Sequence, residues 1–135
     1  KEVGVSSSSR SLCNARYKYL RHLGDTGKRG QGNEQLKAPS GACLIKATNQ
    51  LVVCDKNNHR LVVLDATSFA YICQMGDTGT DGPGNEQFNR PWSVCFNEAD
   101  NELIACDFNN HRMVVYECFE SGSPGGAAAA AAGSG

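Results

Sequence analysis

No run of apolar residues in this sequence is long enough to cross a bilayer as a helix. The first residues, Lys1 followed by a serine-rich stretch, lack the apolar core of a signal peptide. With no initial Met, the sequence is expected to be an excised piece of a longer chain. Net charge is also scarce. A formal charge of −1 and a pI near 6.3 leave no global basic footprint for nucleic acid or an anionic membrane. The charge is uneven all the same, because residues 1–37 hold eight Lys and Arg against three acids and the remainder five against eleven. The seven cysteines contain no C-x-x-C pair and are odd in number, which argues against a disulfide framework. Four of them, Cys43, Cys54, Cys95 and Cys106, sit in apolar runs, where buried, reduced thiols are expected. Reduced thiols point to a cytoplasmic protein. Cys13, Cys73 and Cys118 remain available for pairing.

What the sequence does have is a repeat. Shifting it by 52 aligns 24–67 with 76–119 without a gap, and 22 of the 44 positions are identical. The identities fall in three blocks. G-D-T-G-x-x-G-x-G-N-E-Q occurs at Gly24–Gln35 and Gly76–Gln87. Pro39 and Cys43 match Pro91 and Cys95. L-x-x-C-D-x-N-N-H-R-x-V-V occurs at Leu51–Val63 and Leu103–Val115. Between the glycine-rich blocks lie short segments rich in Val, Ile, Leu, Tyr and Cys, bounded by turn residues. Strands are expected at 17–23, 41–47, 50–55, 60–65, 70–75, 93–97, 102–107 and 112–117. Runs such as Leu-Val-Val-Leu lack polar alternation, which predicts strands covered on both faces. The fold class is therefore all-β, with four antiparallel strands to each repeat, as in a propeller blade.

The order of glycine-rich block, Pro, strand and L-x-x-C-D-x-N-N-H-R, with Asn58-His59-Arg60 and Asn110-His111-Arg112 at its centre, resembles the NHL repeat. The resemblance covers about 17–119, with a first repeat near 24–75 and a second near 76–119. It implies a β-propeller of about six blades, of which this sequence supplies two. Residues 17–23 are expected to act as a fourth strand that completes a blade elsewhere in the ring. Three chains of two blades, or further blades in a longer chain, would complete that ring. Residues 1–16 are expected to be flexible, and the Gly-, Ser- and Ala-rich 120–135 reads as a linker or tail.

The duplicated polar set, Asp55, Asn58, His59 and Arg60 with Asp107, Asn110, His111 and Arg112, is expected to hold turns rather than to catalyse, since a catalytic site rarely recurs in every repeat. Each Asp is expected to accept amides two residues on, and each Arg to pair with acids at the rim. No metal site is expected: the Asp-x-Asn-Asn-His stretch lacks the glycine and the final acid of a calcium loop, and three or four zinc donors are not evident. The glycine-rich blocks do not complete a phosphate-binding loop either, and no cofactor is expected. Recognition is expected where the copies differ on the loop face: Lys28, Arg29, Lys56, Trp92 and Phe108. The expected function is a non-catalytic scaffold for a protein or peptide partner. The resemblance also implies two alternatives, single-stranded RNA binding as in tripartite-motif proteins and, more remotely, a peptide-amidating lyase.

Overall fold

A computed structural model describes residues 16–119, so the expected flexible segment (apart from Arg16) and the 120–135 tail lie outside the described residues. The regular structure consists of β1 (Pro39–Ile45), β2 (Gln50–Asp55), β3 (Arg60–Asp65), β4 (Tyr71–Met75), β5 (Pro91–Asn97), β6 (Glu102–Asp107) and β7 (Arg112–Glu117). No helix among the described residues is long and apolar enough to cross a membrane. One antiparallel sheet has the order β1-β2-β3-β4 and the other β5-β6-β7.

The two sheets are copies down to their register. Pro39 faces Asp55 and Gly41 faces Cys54, so Ser40 bulges out of the ladder. Pro91 faces Asp107 and Ser93 faces Cys106, so Trp92 bulges at the same place. The β2–β3 and β6–β7 turns are single 3₁₀ turns, each closed by a histidine in the left-handed region, His59 at φ 56° and His111 at φ 55°. Histidine is among the few residues besides glycine enriched there.

Two apolar layers hold the molecule together. Ile45, Val52, Cys54, Leu61 and Val63 face the second sheet and meet Phe88, Val94, Leu103 and Ala105. Val53, Val62 and Leu64 project from the opposite side of the first sheet and are covered by Leu23 and Leu36. Strand β3 is thus buried on both faces, which accounts for its unbroken apolar run. The equivalent strand β7 alternates: Met113 is 64% exposed where Leu61 is 0%, and Val115 is 53% exposed where Val63 is 6%.

Residues 17–23 join no strand among the described residues. Their expected role was to complete a blade elsewhere in the ring, and the first sheet already has its fourth strand in β4, so within this chain the segment lies on that sheet's face. Leu23 packs there, and Arg21 reaches the Ala66 carbonyl at 3.5 Å and the Phe69 ring at 5.1 Å. The four repeat cysteines are not uniformly buried. Cys54 is buried, Cys43 and Cys106 are half-buried, and Cys95 is exposed, because Cys95 and Cys106 lie on the uncovered face of the second sheet. Cys73 and Cys118 form no disulfide among the described residues, and Cys13 lies outside them.

Candidate binding face

The repeated polar residues form a buried clasp, not an open site. Asp55 is 0% and Arg60 1% exposed. Asp55 Oδ1 accepts the Lys37 N–H at 2.6 Å, and Oδ2 accepts Asn58 Nδ2 and Arg60 Nε, both at 2.8 Å. Asn58 Nδ2 also donates to the Gly30 carbonyl at 2.8 Å, and Arg60 Nη2 to those of Gly32 and Gln35 at 2.9 and 3.1 Å. The second copy repeats the arrangement. Asp107 accepts from Asn89 N–H, Asn110 and Arg112, while Asn110 and Arg112 reach the carbonyls of Gly82, Gly84 and Gln87.

The expected amide two residues on and the expected rim acids are both corrected by this geometry. Asp55 and Arg60 are cross-strand partners, so the arginine turns back onto its own motif, and the aspartate looks toward the incoming glycine-rich loop. What the motif holds is that loop, through the amide of Asn58 and the charge-assisted bonds of Arg60 to its carbonyls. Gln35 completes the clasp by accepting the Gly32 N–H at 3.0 Å and donating to Asp25 at 3.1 Å. It lies so close over Gly30 that a Cβ there would stand 2.4 Å from its side chain.

His59 has a different task, because it joins the sheets. Its Nδ1 accepts the Arg90 N–H at 3.1 Å, and the Asn58 carbonyl accepts the Gly79 N–H at 2.9 Å. The His59 carbonyl lies against Gly76, where a Cβ would come within 2.5 Å. His59 Nδ1 is therefore committed to a backbone amide. Among the described residues, no three His, Cys, Asp or Glu side chains are grouped to hold a metal ion.

The clasp brings the β2–β3 and β6–β7 turns and the glycine-rich loops to one face: Asn57 N–H bonds the Lys37 carbonyl, and Asn109 N–H that of Asn89. On this face three of the five candidate recognition residues meet. The bulge turns Trp92 out of its sheet, where it is 46% exposed. Lys56, from the first repeat's turn, places its Nζ 4.4 Å above the Trp92 ring, and Phe108, 55% exposed, packs against Trp92 with ring centroids 4.9 Å apart and planes at 46°. Lys28 and Arg29 are exposed but apart from this cluster, lining a cleft with His22, Leu23, Leu36 and Ala38. Sequence reasoning missed Ser40, whose hydroxyl donates to the Trp92 carbonyl at 2.6 Å and fixes the bulge from the neighbouring sheet. Its only signal was its place opposite Trp92 in the alignment of the two copies.

The sequence profile of the NHL repeat matches residues 36–64 and 88–116, the spans of β1–β3 and β5–β7 with their clasps. The chain carries two NHL repeats. Each supplies a propeller-type blade, the first with four strands and the second with three among the described residues. NHL repeat-containing protein 2 of Homo sapiens is 32% identical over 90 residues, which is 63% of this chain and 12% of that protein, so the chain spans a small part of that relative's length. Among solved structures, an auxiliary nutrient binding protein from Bacteroides thetaiotaomicron is similar at a TM-score of 0.46 and 20% identity, over 70% of this chain and 25% of that one. The Met at position 113, where the NHL motif has Leu, lies on the exposed face of the second blade and disturbs no packing there.

Proposed function

We propose that this chain is a non-catalytic binding scaffold whose loop face receives a protein or peptide, with Trp92, Phe108 and Lys56 as its anchor. The observation that carries the reading is the exposed aromatic pair at the junction of the two blades, fixed by a bulge, a neighbouring serine and a lysine over the indole. Large aromatic side chains held at low conformational cost are what interface hot spots are made of. A peptide suits the cluster better than an RNA base does. Stacking a base needs an open ring face, and one face of the indole already carries the Lys56 ammonium. The loop face is also mixed in charge, since Asp81 in the second repeat stands where the first has Arg29.

Trp92 is the sole tryptophan, so its fluorescence reports on the site directly. Peptides selected from a random library against the wild-type chain should perturb that emission. Phe108→Ala should weaken them by about 2 kcal/mol, roughly thirty-fold. Selected peptides that bind Phe108→Ala and Trp92→Ala as well as wild type would overturn the reading. A single-stranded oligouridylate that binds instead, with affinity falling steeply in salt and lost in Lys28→Ala/Arg29→Ala, would move the function to RNA.

A further inference from the structure

The outer face and free edge of the second blade, and the cleft beside residues 22–29, are complementary halves of one interface, and we propose that a second copy of this chain fills it head to tail. The junction between the two blades of one chain is the template. There, β4 runs along β3 with Leu61 opposite Met75, Val62 opposite Gln74, Val63 opposite Cys73 and Leu64 opposite Tyr71. Subtracting the repeat length of 52 from the β4 positions, and adding it to those of β3, gives Leu23 against Met113, His22 against Val114, Arg21 against Val115 and Tyr19 against Tyr116. The β7 edge has no strand beside it among the described residues, and residues 17–23 have no strand to join.

The segment already stands in the required place. Met75 packs on the core between the blades, and Leu23 packs in the equivalent way on the outer face of the first blade. Gly24 has φ 100° and Gly76 has φ 101°, so the chain leaves both segments in the same direction. Tyr17, Tyr19 and Leu20 are 74%, 72% and 71% exposed, a large apolar display for a segment with no strand partner.

The cleft fits the same occupant. Between the blades, Gly79 N–H meets the Asn58 carbonyl, Arg90 N–H meets His59 Nδ1, and Gly76 lies against the His59 carbonyl. The equivalent positions Gly27, Ala38 and Gly24 border or line an open cleft of about 370 Å³, and nothing lies within 4 Å of where a Gly27 Cβ would be. A partner subunit's Asn110, His111 and Arg112 are the residues that match it. Arg112 is the less covered of the two arginines: Arg60 is 1% exposed with Nη1 donating to Gln74 and Thr78 of the following strand and loop, whereas Arg112 is 28% exposed with Nη1 donating to the Pro83 carbonyl at 3.0 Å. The partner's His22 and Thr26 take the places of Gln74 and Thr78 by the same shift. On the sheet faces, Met113, Val115, Cys95 and Cys106 then cover the partner's Val53, Val62 and Leu64, as Leu61, Val63, Cys43 and Cys54 cover Ala105 and Val114 within the chain.

Such an interface is heterologous, so copies add until the ring closes, and strand addition to an open edge supplies its backbone bonds. Light scattering after size exclusion on the full chain should give a discrete species at a multiple of 14.4 kDa. Arg21→Pro/His22→Pro breaks the donor strand, since consecutive residues alternate in amide direction and one of the two must pair. Met113→Lys/Val115→Glu breaks the acceptor face. Both pairs lie on exposed or strandless positions, so each variant should keep a β-type circular dichroism spectrum, less only the strand gained on assembly, and unfold cooperatively. Each variant alone should be a monomer. An equimolar mixture should give a dimer at twice the chain mass, because one intact interface remains. A monomeric wild type at all concentrations overturns the proposal, as do variants that assemble like wild type, or a mixture that stays monomeric.

Discussion

Replacing Asp55 by Ala should be far more damaging than the same change at Asp107, although the two residues hold copies of one motif. Asp55 accepts three hydrogen bonds, and its loss leaves the Arg60 guanidinium 1% exposed with no counter-charge. An uncompensated buried charge of this kind costs about 3–5 kcal/mol. Arg112 is 28% exposed, so after Asp107→Ala it turns to water while keeping its carbonyl partners, and the loss falls to about 1–2 kcal/mol, the scale of ordinary hydrogen bonds. Both changes should be made in the Met113→Lys/Val115→Glu background, which keeps Arg112 at this exposure. Urea unfolding followed by Trp92 fluorescence and far-ultraviolet circular dichroism gives the two free energies. In thermal scans each kcal/mol corresponds to roughly 4–8 °C for a domain of this size. Adding Arg60→Met to Asp55→Ala should recover part of the loss by removing the stranded charge. It cannot recover all of it, because Arg60 also ties down the carbonyls of Gly32 and Gln35. Equal losses at Asp55 and Asp107, or no recovery with Arg60→Met, would refute the reasoning.

Other outcomes follow from the same contacts. Gly76→Ala should destabilise more than Gly30→Ala in the same unfolding assay. At Gly76 the new Cβ meets the His59 backbone oxygen and φ is 101°, whereas at Gly30 it meets the movable end of Gln35, whose displacement forfeits two hydrogen bonds, about 1 kcal/mol each. Burial pushes the Cys54 thiol up to about 12 and that of Cys43 to about 11, so alkylation at neutral pH, read by mass spectrometry, should spare Cys54 until the chain unfolds. The exposed Cys95 should react early in the monomeric variants and slowly in the assembly. Asp65 accepts the N–H groups of Ser68 and Thr67, which hold its carboxyl below the usual range. A lowered folded value means its stabilisation is complete above the unfolded pKa of about 3.9 and is lost as pH falls through the folded value, so Asp65→Asn should flatten acid unfolding below about pH 4.

The repeat made most of the fold legible. The strands 50–55, 60–65, 102–107 and 112–117 were readable to the residue because each is an apolar run closed by Asp or Glu and opened by a polar residue after a turn. The loop face was legible too, since antiparallel connections alternate between ends, which puts the glycine-rich loops and the β2–β3 and β6–β7 turns at the same one. What sequence could not supply was direction. Asp55 and Arg60 looked like independent turn and rim residues because nothing in their spacing says that they are cross-strand partners. Residues 17–23 had the composition of a strand, and composition carries no information about whether an edge is within reach. The cysteines misled for a related reason. Their environment is set by whether the neighbouring blade is present, so Cys54 is buried while its copy Cys106 is half-buried.

The division of labour inside each repeat explains why recognition can sit at the positions that differ. Apart from the bonds among themselves and those of Arg60 to Gln74 and Thr78, Asp55, Asn58 and Arg60 bond to backbone amides and carbonyls of the loop, and His59 to a backbone amide of the next blade. None of these bonds depends on the side chain carried by position 28, 29, 56 or 92. The backbone of the loop face is therefore fixed by residues that face inward, and the outward side chains are free to vary without altering the geometry that presents them. Ser40 and Trp92 illustrate the consequence: the same bulge, opposite the same Asp–Arg pair, presents a hydroxyl that joins two blades in one copy and an exposed indole in the other. Exchanging them should test this independence directly. Trp92→Ser should remove the aromatic anchor, so that dye-labelled selected peptides no longer bind by fluorescence anisotropy, while leaving the unfolding free energy, read by circular dichroism, within about 0.5 kcal/mol of wild type, as for a surface change. A loss as large as that of Asp55→Ala would mean that the indole belongs to the scaffold and not to the surface it presents.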